Sequence, residues 1–275
     1  MIEPTTPIPT PTECFCLGKT GDEALCEDVV VISDAYLAVI DGVTSKSKIT
    51  YNGKKGGRYA AELLADAIRT LDPKETADGA LKRLDEVIRN ANPQGDVPPE
   101  DRLQACVILY SHYRRPIWCY GDCQCMINGV AKTHAKEVDG LFSSVRAFVI
   151  AAYLKQGGDP DALYEHDVGR EAVLPFLKVQ SLFANSDEPF GYPVLNGTGI
   201  NQGQTVIYSL QAGDHVVLAS DGYPKLFPTL AESEENLQRI LATDPLSIGE
   251  NRETKLKVKG NLSFDDRSYL SFYVT

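Results

Sequence analysis

Short runs of apolar, often β-branched residues recur along this chain and predict buried strands. The predicted strands are Cys14–Leu17, Val29–Ser33, Tyr36–Ile40, Leu103–Ser111, Ile117–Tyr120, Cys123–Asn128, Thr205–Ser209, His215–Ser220 and Ser268–Val274. The pairs Ser33-Asp34 and Asn128-Gly129 are turn signals and favour antiparallel connections.

Segments with apolar residues three or four apart predict helices between these strands. They are Arg58–Leu71, Ala77–Asn90, Ser143–Leu154, a helix of uncertain extent within Asp161–Asn185, and Glu234–Ala242. Antiparallel groups of strands alternating with pairs of helices are typical of an α+β fold. We therefore predict a four-layer α-β-β-α sandwich of two antiparallel sheets flanked by helix pairs.

The length of 275 residues allows one large domain or two small ones. No internal repeat and no strong linker divides the chain. Residues 1–12 are rich in Pro and Thr and lack the basic and apolar regions of a signal peptide, so we expect a flexible tail. Residues 13–275 are predicted to form a single domain.

Charge and composition narrow the function classes. The net charge of −11 argues against a nucleic-acid partner and favours a metal cation or a basic protein surface. Apolar runs are too short for a membrane span. Seven cysteines, an odd number, do not suggest a disulfide framework, so we expect a cytoplasmic protein. The oligomeric state is left open.

Four acidic motifs lie at the ends of predicted strands: Glu27-Asp28, Asp41-Gly42, Asp221-Gly222 and Asp265-Asp266. Carboxylates at strand ends can converge although they are distant in sequence. Two of them about 4 Å apart repel by roughly 4 kcal/mol at an effective dielectric constant of 20, so a converging set needs a cation. Oxygen ligands without His or Cys favour Mg²⁺ or Mn²⁺. We predict a divalent-metal site on a β core.

Each motif also has a simpler interpretation. Asp41-Gly42 alone would be a turn, by roughly two to one, because Asp-Gly is a common turn signal. The repeat of this arrangement at Asp221-Gly222 favours a site, since glycine lets the backbone approach closely and lets its carbonyl act as a ligand. The adjacent charges of Asp265-Asp266 repel each other unless a cation is present.

Cysteines offer a rival metal site. Cys119, Cys123 and Cys125 share strand parity, and Cys106 is expected on a neighbouring strand. A zinc site usually includes a Cys-x-x-Cys pair, which the sequence lacks. Because free cysteine is among the most buried residue types, core packing is favoured by roughly five to one. The four histidines show no metal-ligand spacing.

The order of the acidic motifs resembles the metal-dependent protein phosphatase (PPM) family, the type 2C serine/threonine phosphatases, as a divergent bacterial-type member. Cys26-Glu27-Asp28 resembles the family's Asn-Glu-Asp, and Val39–Gly42 its Val-x-Asp-Gly. Tyr120–Cys123 resembles Val-Gly-Asp-Ser, Leu218–Gly222 matches Leu-Ala-Ser-Asp-Gly, and Asp265–Ser268 resembles Asp-Asn-x-Thr/Ser. The match spans about residues 13–274.

This resemblance implies five metal ligands: Asp41, Gly42, Asp221, Asp265 and Glu27. Asp41 would bridge two Mn²⁺ or Mg²⁺ ions, and the Gly42 carbonyl would bind one of them together with Glu27. Asp221 and Asp265 would hold the other ion. Metal-activated water, rather than a side chain, would then attack phosphorus.

Two further aspartates have supporting roles in this comparison. Asp28 would orient the ligands and their waters. Asp122 is a weak candidate for a third ion, because the family's additional aspartate is replaced by Lys225.

The residues that would hold a substrate depart from the family pattern. Glu23 stands where the family has a phosphate-binding arginine; Lys19, Lys46, Lys48 and Arg58 are candidate substitutes, and the phosphate-binding residues are otherwise unknown. The favoured function is a phosphomonoesterase acting on phosphoserine or phosphothreonine in proteins. The alternative is an inactive pseudophosphatase that binds phosphoproteins or acts as a regulatory module.

Overall fold

The computed structural model describes residues 8–45, 49–93 and 98–275. Its strands are β1 (Glu13–Leu17), β2 (Asp28–Ile32), β3 (Tyr36–Gly42), β4 (Thr50–Tyr51), β5 (Lys54–Lys55), β6 (Ala105–Ser111), β7 (Ile117–Tyr120), β8 (Gln124–Ile127), β9 (Val130–Lys132), β10 (Val206–Tyr208), β11 (His215–Ala219) and β12 (Arg267–Tyr273). Its α-helices are α1 (Gly56–Arg69), α2 (Ala77–Ala91), α3 (Glu137–Lys155), α4 (Val168–Val179) and α5 (Leu230–Thr243).

Within the described residues, the long strands form two five-stranded antiparallel sheets. One sheet has the order β1-β12-β11-β8-β9 and the other β10-β7-β6-β3-β2. Apolar side chains from β3, β6 and β7 meet those from β8, β11 and β12 in a shared core. The predicted α+β class, with two antiparallel sheets, is confirmed.

Strand β3 shows how the sequence pattern builds the layers. Successive side chains of a strand point to opposite faces. Leu37 and Val39 therefore enter the core between the sheets, whereas Tyr36, Ala38 and Ile40 face the opposite side. Helices α1 and α2 pack on that outer face through their buried apolar residues, which gives one flanking helix pair.

Helices α3 and α4 form the second helix pair. Helices α3 and α4 contact each other, and Ile150 packs with Leu163 and Leu256 in a separate cluster. Helix α3 begins at Glu137, earlier than predicted. The segment Asp161–Asn185 contains α4 between two 3-10 turns, with Pro175 inside the helix.

The sequence patterns missed three short strands of two hairpins, although the turn of one hairpin, Asn128-Gly129, was predicted. Strand β9 follows a turn at Asn128 and Gly129, which both have positive φ angles and connect β8 to β9. The segment 43–57, for which the sequence patterns predicted no strand, contains β4 and β5 around Asn52 and Gly53, which also have positive φ angles. Strands of two or three residues leave too short an apolar pattern to detect.

The predicted tail 1–12 lies partly outside the described residues. In its described part, Ile8 packs against the core between the sheets, and the Thr12 amide donates a 2.8 Å hydrogen bond to the Ser271 carbonyl. Among the helices of the described ranges, none combines the length and apolar character needed to cross a bilayer.

Candidate metal centre

Three aspartates from separate strand ends meet at one edge of the sandwich. Asp41 lies near the end of β3, Asp122 in the β7–β8 turn, and Asp221 just after β11. One carboxylate oxygen from each lies within 4.8 Å of the other two. The predicted convergence of Asp41 and Asp221 is therefore present. Asp122, which the sequence offered only as a weak candidate, belongs to the same group. We call these three residues the aspartate triad.

Close backbone packing explains the glycine of each Asp-Gly motif. A Cβ atom on Gly42 would lie 2.2 Å from the Gly57 carbonyl oxygen, and one on Gly222 would lie 2.0 Å from the Asp266 carbonyl oxygen. These distances exclude any side chain without movement of the backbone. Gly42 thus seats the end of β3 against the first turn of α1, and Gly222 seats Asp221 against the start of β12.

Glu27 lies beside this packing with one carboxylate oxygen unpaired. The residue is 1% exposed, and its Oε2 atom accepts a 2.7 Å hydrogen bond from the Thr44 hydroxyl. Among the described residues, the buried Oε1 atom has no hydrogen-bond partner. An ionised carboxylate oxygen left unpaired in the interior is costly, so this atom fits a cation ligand.

Asp28 and Asp266 connect the segments that carry the site. Asp28 is opposite Asp41 in the β2–β3 ladder and accepts a 2.9 Å hydrogen bond from the Ser268 hydroxyl. Asp266 accepts hydrogen bonds from the backbone amides of Lys19 (2.7 Å) and Glu27 (3.1 Å). Both aspartates are buried, and their contacts suit positioning roles.

Two members of the aspartate triad, Asp41 and Asp221, favour the protonated form unless a cation is bound. Burial, followed by the negative charge of Asp221, raises the pKa of Asp41 well above its ordinary value. The Asp221 carboxyl reaches solvent at the mouth of the site, yet desolvation and the charge of Asp122 raise its pKa to about 8. The group therefore has the electrostatics expected of a cation site without its counter-charge.

Asp122 differs from the other two because a lysine neutralises it. Its carboxylate accepts a hydrogen bond from Lys136, and both side chains are about 90% buried. Burial alone would raise the pKa of Asp122, but the Lys136 charge holds it below its ordinary value. The Lys136 ammonium also lies 5.2 Å from the centre of the Tyr192 ring. Sequence patterns missed Lys136, which follows the short strand β9.

Asp265 is engaged by two lysines instead of the triad. Its Oδ1 atom lies 2.7 Å from the Lys19 ammonium, and its Oδ2 atom accepts a hydrogen bond from Lys255. Burial opposes ionisation, but the charges of Lys255 and Lys19 hold the pKa of Asp265 well below its usual range. The structure thus places this predicted ligand at the cavity wall, close to the triad but outside it.

A cavity of about 370 Å³ opens onto the triad. Its wall carries basic side chains from α4 and from the polar loop before β12: Arg170, Arg252 and Lys255. Glu253 lies in the same loop, and burial raises its pKa to about 7. The sequence patterns did not identify Arg252, Glu253 and Lys255, because they lie between α5 and β12 in a polar segment without periodicity.

The predicted phosphate-binding substitutes lie elsewhere or are already engaged. Glu23 is exposed in a short 3-10 turn and does not line the cavity. Arg58 donates hydrogen bonds to Glu62 and to the Cys26 carbonyl. Lys46 and Lys48 lie outside the described residues.

The cysteine group lies in the core between the sheets. Cys106, Cys119, Cys123 and Cys125 are all buried there. Burial raises the pKa of each thiol, to about 12 for Cys125, which disfavours the thiolate that zinc requires. In the described part of the chain, one group of three or more carboxylate, His or Cys side chains has the spacing of a metal site, and this group is the aspartate triad. These findings favour core packing.

The fold and the site together define an α+β protein with two stacked antiparallel sheets and an acidic cavity at one edge of the stack. No protein-family model matches the sequence, and no curated protein matches it.

Solved structures of serine/threonine phosphatases, the class that the motifs resemble, are similar over almost the whole chain. The phosphatase PstP/Ppp of Mycobacterium tuberculosis is 16% identical over 96% of this chain and 99% of its own, with a TM-score of 0.48. The catalytic domain of PstP in complex with two manganese ions is 16% identical over 96% and 98%, with a TM-score of 0.47. The PPM phosphatase MsPP of Mycobacterium smegmatis is 12% identical over 97% and 100%, with a TM-score of 0.46. Similarity at this level concerns the overall fold and assigns no role to any side chain.

Proposed function

We propose that this protein is a metal-dependent phosphomonoesterase that acts on phosphoserine or phosphothreonine in proteins. The aspartate triad carries the proposal: three carboxylates lie within 4.8 Å of one another at the end of a cavity. Asp41 and Asp221 have raised pKa values there, so their ionised forms need a cation.

The donor atoms fit Mn²⁺ or Mg²⁺. The triad offers carboxylate oxygens, Gly42 adds a backbone carbonyl, and Glu27 has an unpaired buried oxygen. Hard oxygen ligands without sulfur or imidazole suit these ions. A divalent cation bound here supplies the chemistry of phosphoester hydrolysis, because it makes water a better nucleophile and neutralises phosphoryl oxygens. The two ions predicted from the sequence stay a prediction.

The cavity wall supports an anionic substrate. Arg170 and Lys255 add positive charge to the cavity lining, and the Arg170 guanidinium is held by hydrogen bonds to the Thr254 carbonyl and hydroxyl. A fixed guanidinium binds phosphate oxygens well. The open volume of about 370 Å³ lies in the range of ligand pockets and suits a phosphorylated side chain that projects from a protein surface.

The decisive experiment compares hydrolysis with and without metal. The wild-type protein should hydrolyse p-nitrophenyl phosphate and members of a phosphopeptide panel only with Mn²⁺ or Mg²⁺. Asp41→Asn and Asp221→Asn should each lower the rate on the order of 100-fold or more, because each removes a ligand charge. Asp66→Asn on the exposed face of α1 is the matched control and should keep full activity. Wild-type rates in both triad variants, with circular dichroism showing folded protein, would contradict the proposal.

The inactive alternative has one specific observation in its favour. Asp122 and Asp265 each already hold a lysine partner, which lowers their need for a metal. A pseudophosphatase would bind a phosphopeptide without Mn²⁺ and release no phosphate. Calorimetric titration with the peptide, followed by a phosphate assay, separates the two functions.

A further inference from the structure

Lys19 inserts its ammonium group among the acidic residues that flank the triad. The Nζ atom lies 2.7 Å from Asp265, 3.2 Å from Asp266 and 3.6 Å from Glu27. The Lys19 side chain is only 13% exposed. Three carboxylates therefore surround one buried monovalent cation.

The ammonium has no donor left for a substrate. A lysine has three N–H donors, and here they reach the Thr44 hydroxyl (3.2 Å), Asp265 and Asp266. A phosphate-binding lysine must offer at least one donor to the ligand. Lys19 therefore acts inside the protein and does not replace the missing arginine.

The backbone of Lys19 fixes the side chain in this position. Its amide donates a 2.7 Å hydrogen bond to Asp266, and its carbonyl accepts a 2.7 Å hydrogen bond from the Leu262 amide. Both bonds tie the residue to the segment that carries Asp265. The ammonium cannot leave the carboxylates without breaking these contacts or bending an otherwise buried side chain outward.

The balance of charges in the site also indicates that Lys19 acts inside the protein. Lys19 and Lys255 both bind Asp265, and together they carry two positive charges, the charge of one divalent ion. The aspartate triad has Lys136 on Asp122 alone, so Asp41 and Asp221 lack a cation of their own among the described residues. The acidic site thus divides into a half neutralised by lysines and a half that needs a metal.

We propose that the Lys19 ammonium fills the second cation position of this site, so that the protein binds one divalent ion, at the aspartate triad, instead of the two predicted from the sequence. This inference rests on the proposed function, because it assumes that the triad binds a divalent ion. It makes Lys19 a positioning residue that holds Glu27 and Asp265 in the absence of a second metal.

Metal stoichiometry tests the proposal without an activity assay. Metal-free wild type and Lys19→Gln should be titrated with Mn²⁺ by calorimetry, and the bound ions counted by native mass spectrometry. We expect one ion per chain in the wild type and two in Lys19→Gln, since removal of the ammonium frees Glu27, Asp265 and Asp266. Lys19→Arg keeps the charge and should bind one ion. Lys82→Gln on the exposed face of α2 is the surface control and should also bind one.

A second measurement uses only the wild type and so does not depend on the folding of a variant. Electron paramagnetic resonance of the Mn²⁺-loaded protein should give the signal of an isolated ion. A spin-coupled pair, or two ions per wild-type chain, would overturn the role of Lys19 and leave the proposed phosphatase intact. One ion in a folded Lys19→Gln variant would also overturn it. No bound ion in the wild type would instead refute the proposed function itself.

Discussion

At the scale of single residues, the site is a set of buried charges with unequal partners. Lys136 neutralises Asp122, and Lys19 with Lys255 neutralises Asp265. Asp41 and Asp221 lie close together, and neither forms a salt bridge with a lysine of the described residues. Buried charges are tolerated when they are paired, so we expect these lysines to stabilise the fold through the carboxylates that they contact.

Lys136→Met tests this pairing. Loss of the ammonium leaves Asp122 as an unpaired buried charge, and we expect the free energy of unfolding to fall by about 3–5 kcal/mol in urea titrations of the metal-free protein. The double variant Lys136→Met/Asp122→Asn should recover part of this loss. Lys82→Met, which breaks an exposed ion pair with Asp78, should change stability by less than about 1 kcal/mol. If Lys136→Met and Lys82→Met lower the free energy of unfolding by similarly small amounts, the Lys136–Asp122 pair does not behave as a buried ion pair.

At the scale of elements, the contact between β3 and α1 lies against Glu27. Gly42 and Gly57 let the two backbones meet without intervening side chains. A Cβ atom on Gly57 would lie 2.6 Å from both the Gly42 carbonyl oxygen and the Glu27 Oε1 atom. The two elements therefore hold the ligand geometry only while both positions are glycine.

Gly57→Ala should separate α1 from the end of β3. We expect a loss of about 1–3 kcal/mol in unfolding free energy, as for other overpacked positions, together with weaker Mn²⁺ binding because Glu27 must move. Gly140→Ala in α3 is the matched control, since a Cβ atom there meets nothing within 4 Å. That change should stabilise the protein by about 0.5–1 kcal/mol through helix propensity. Denaturation curves of both variants measure the change in unfolding free energy, and calorimetric titrations measure the change in Mn²⁺ affinity. If a stably folded Gly57→Ala protein binds Mn²⁺ as tightly as the wild type, the contact between β3 and α1 does not control the site.

At the scale of the whole molecule, the acidic site makes the stability of the metal-free protein depend on pH. The folded state holds a proton on Asp221 up to about pH 8, whereas the unfolded chain loses it near the ordinary pKa of 3.8. Folding therefore binds protons in this window, and stability falls as pH rises.

We expect the midpoint of thermal unfolding to decrease between pH 5 and pH 8 in the metal-free protein, and to recover on addition of Mn²⁺. Asp221→Asn should weaken this dependence, since an amide does not titrate, and the part that remains is expected from Asp41 and Glu253, whose pKa values are also raised. Scanning calorimetry at fixed ionic strength across this range is the measurement. A midpoint that rises with pH in the absence of metal would show that Asp221 does not control this window.

Local sequence patterns predicted the strand framework and the positions of the acidic motifs. Apolar runs located β2, β3, β11 and β12, and the carboxylates at their ends followed directly. The short strands β4, β5 and β9 and the early start of α3 escaped detection because their apolar patterns are brief or mixed. Lys225, in the place of the resembled family's additional aspartate, made Asp122 a weak candidate, and no local pattern shows that Asp122 approaches Asp41 and Asp221.

The sequence by itself determined which carboxylates stand at strand ends and which glycines accompany them, since both depend on neighbouring residues. Tertiary structure decided which of these carboxylates face one another and which already hold a lysine. The Lys19–Asp265 pair joins residues 246 positions apart, and no periodicity or motif relates them. Pairing of this kind depends on how β1 and β12 bring distant loops together, so the division of the acidic site into a lysine half and a metal half is a property of the fold.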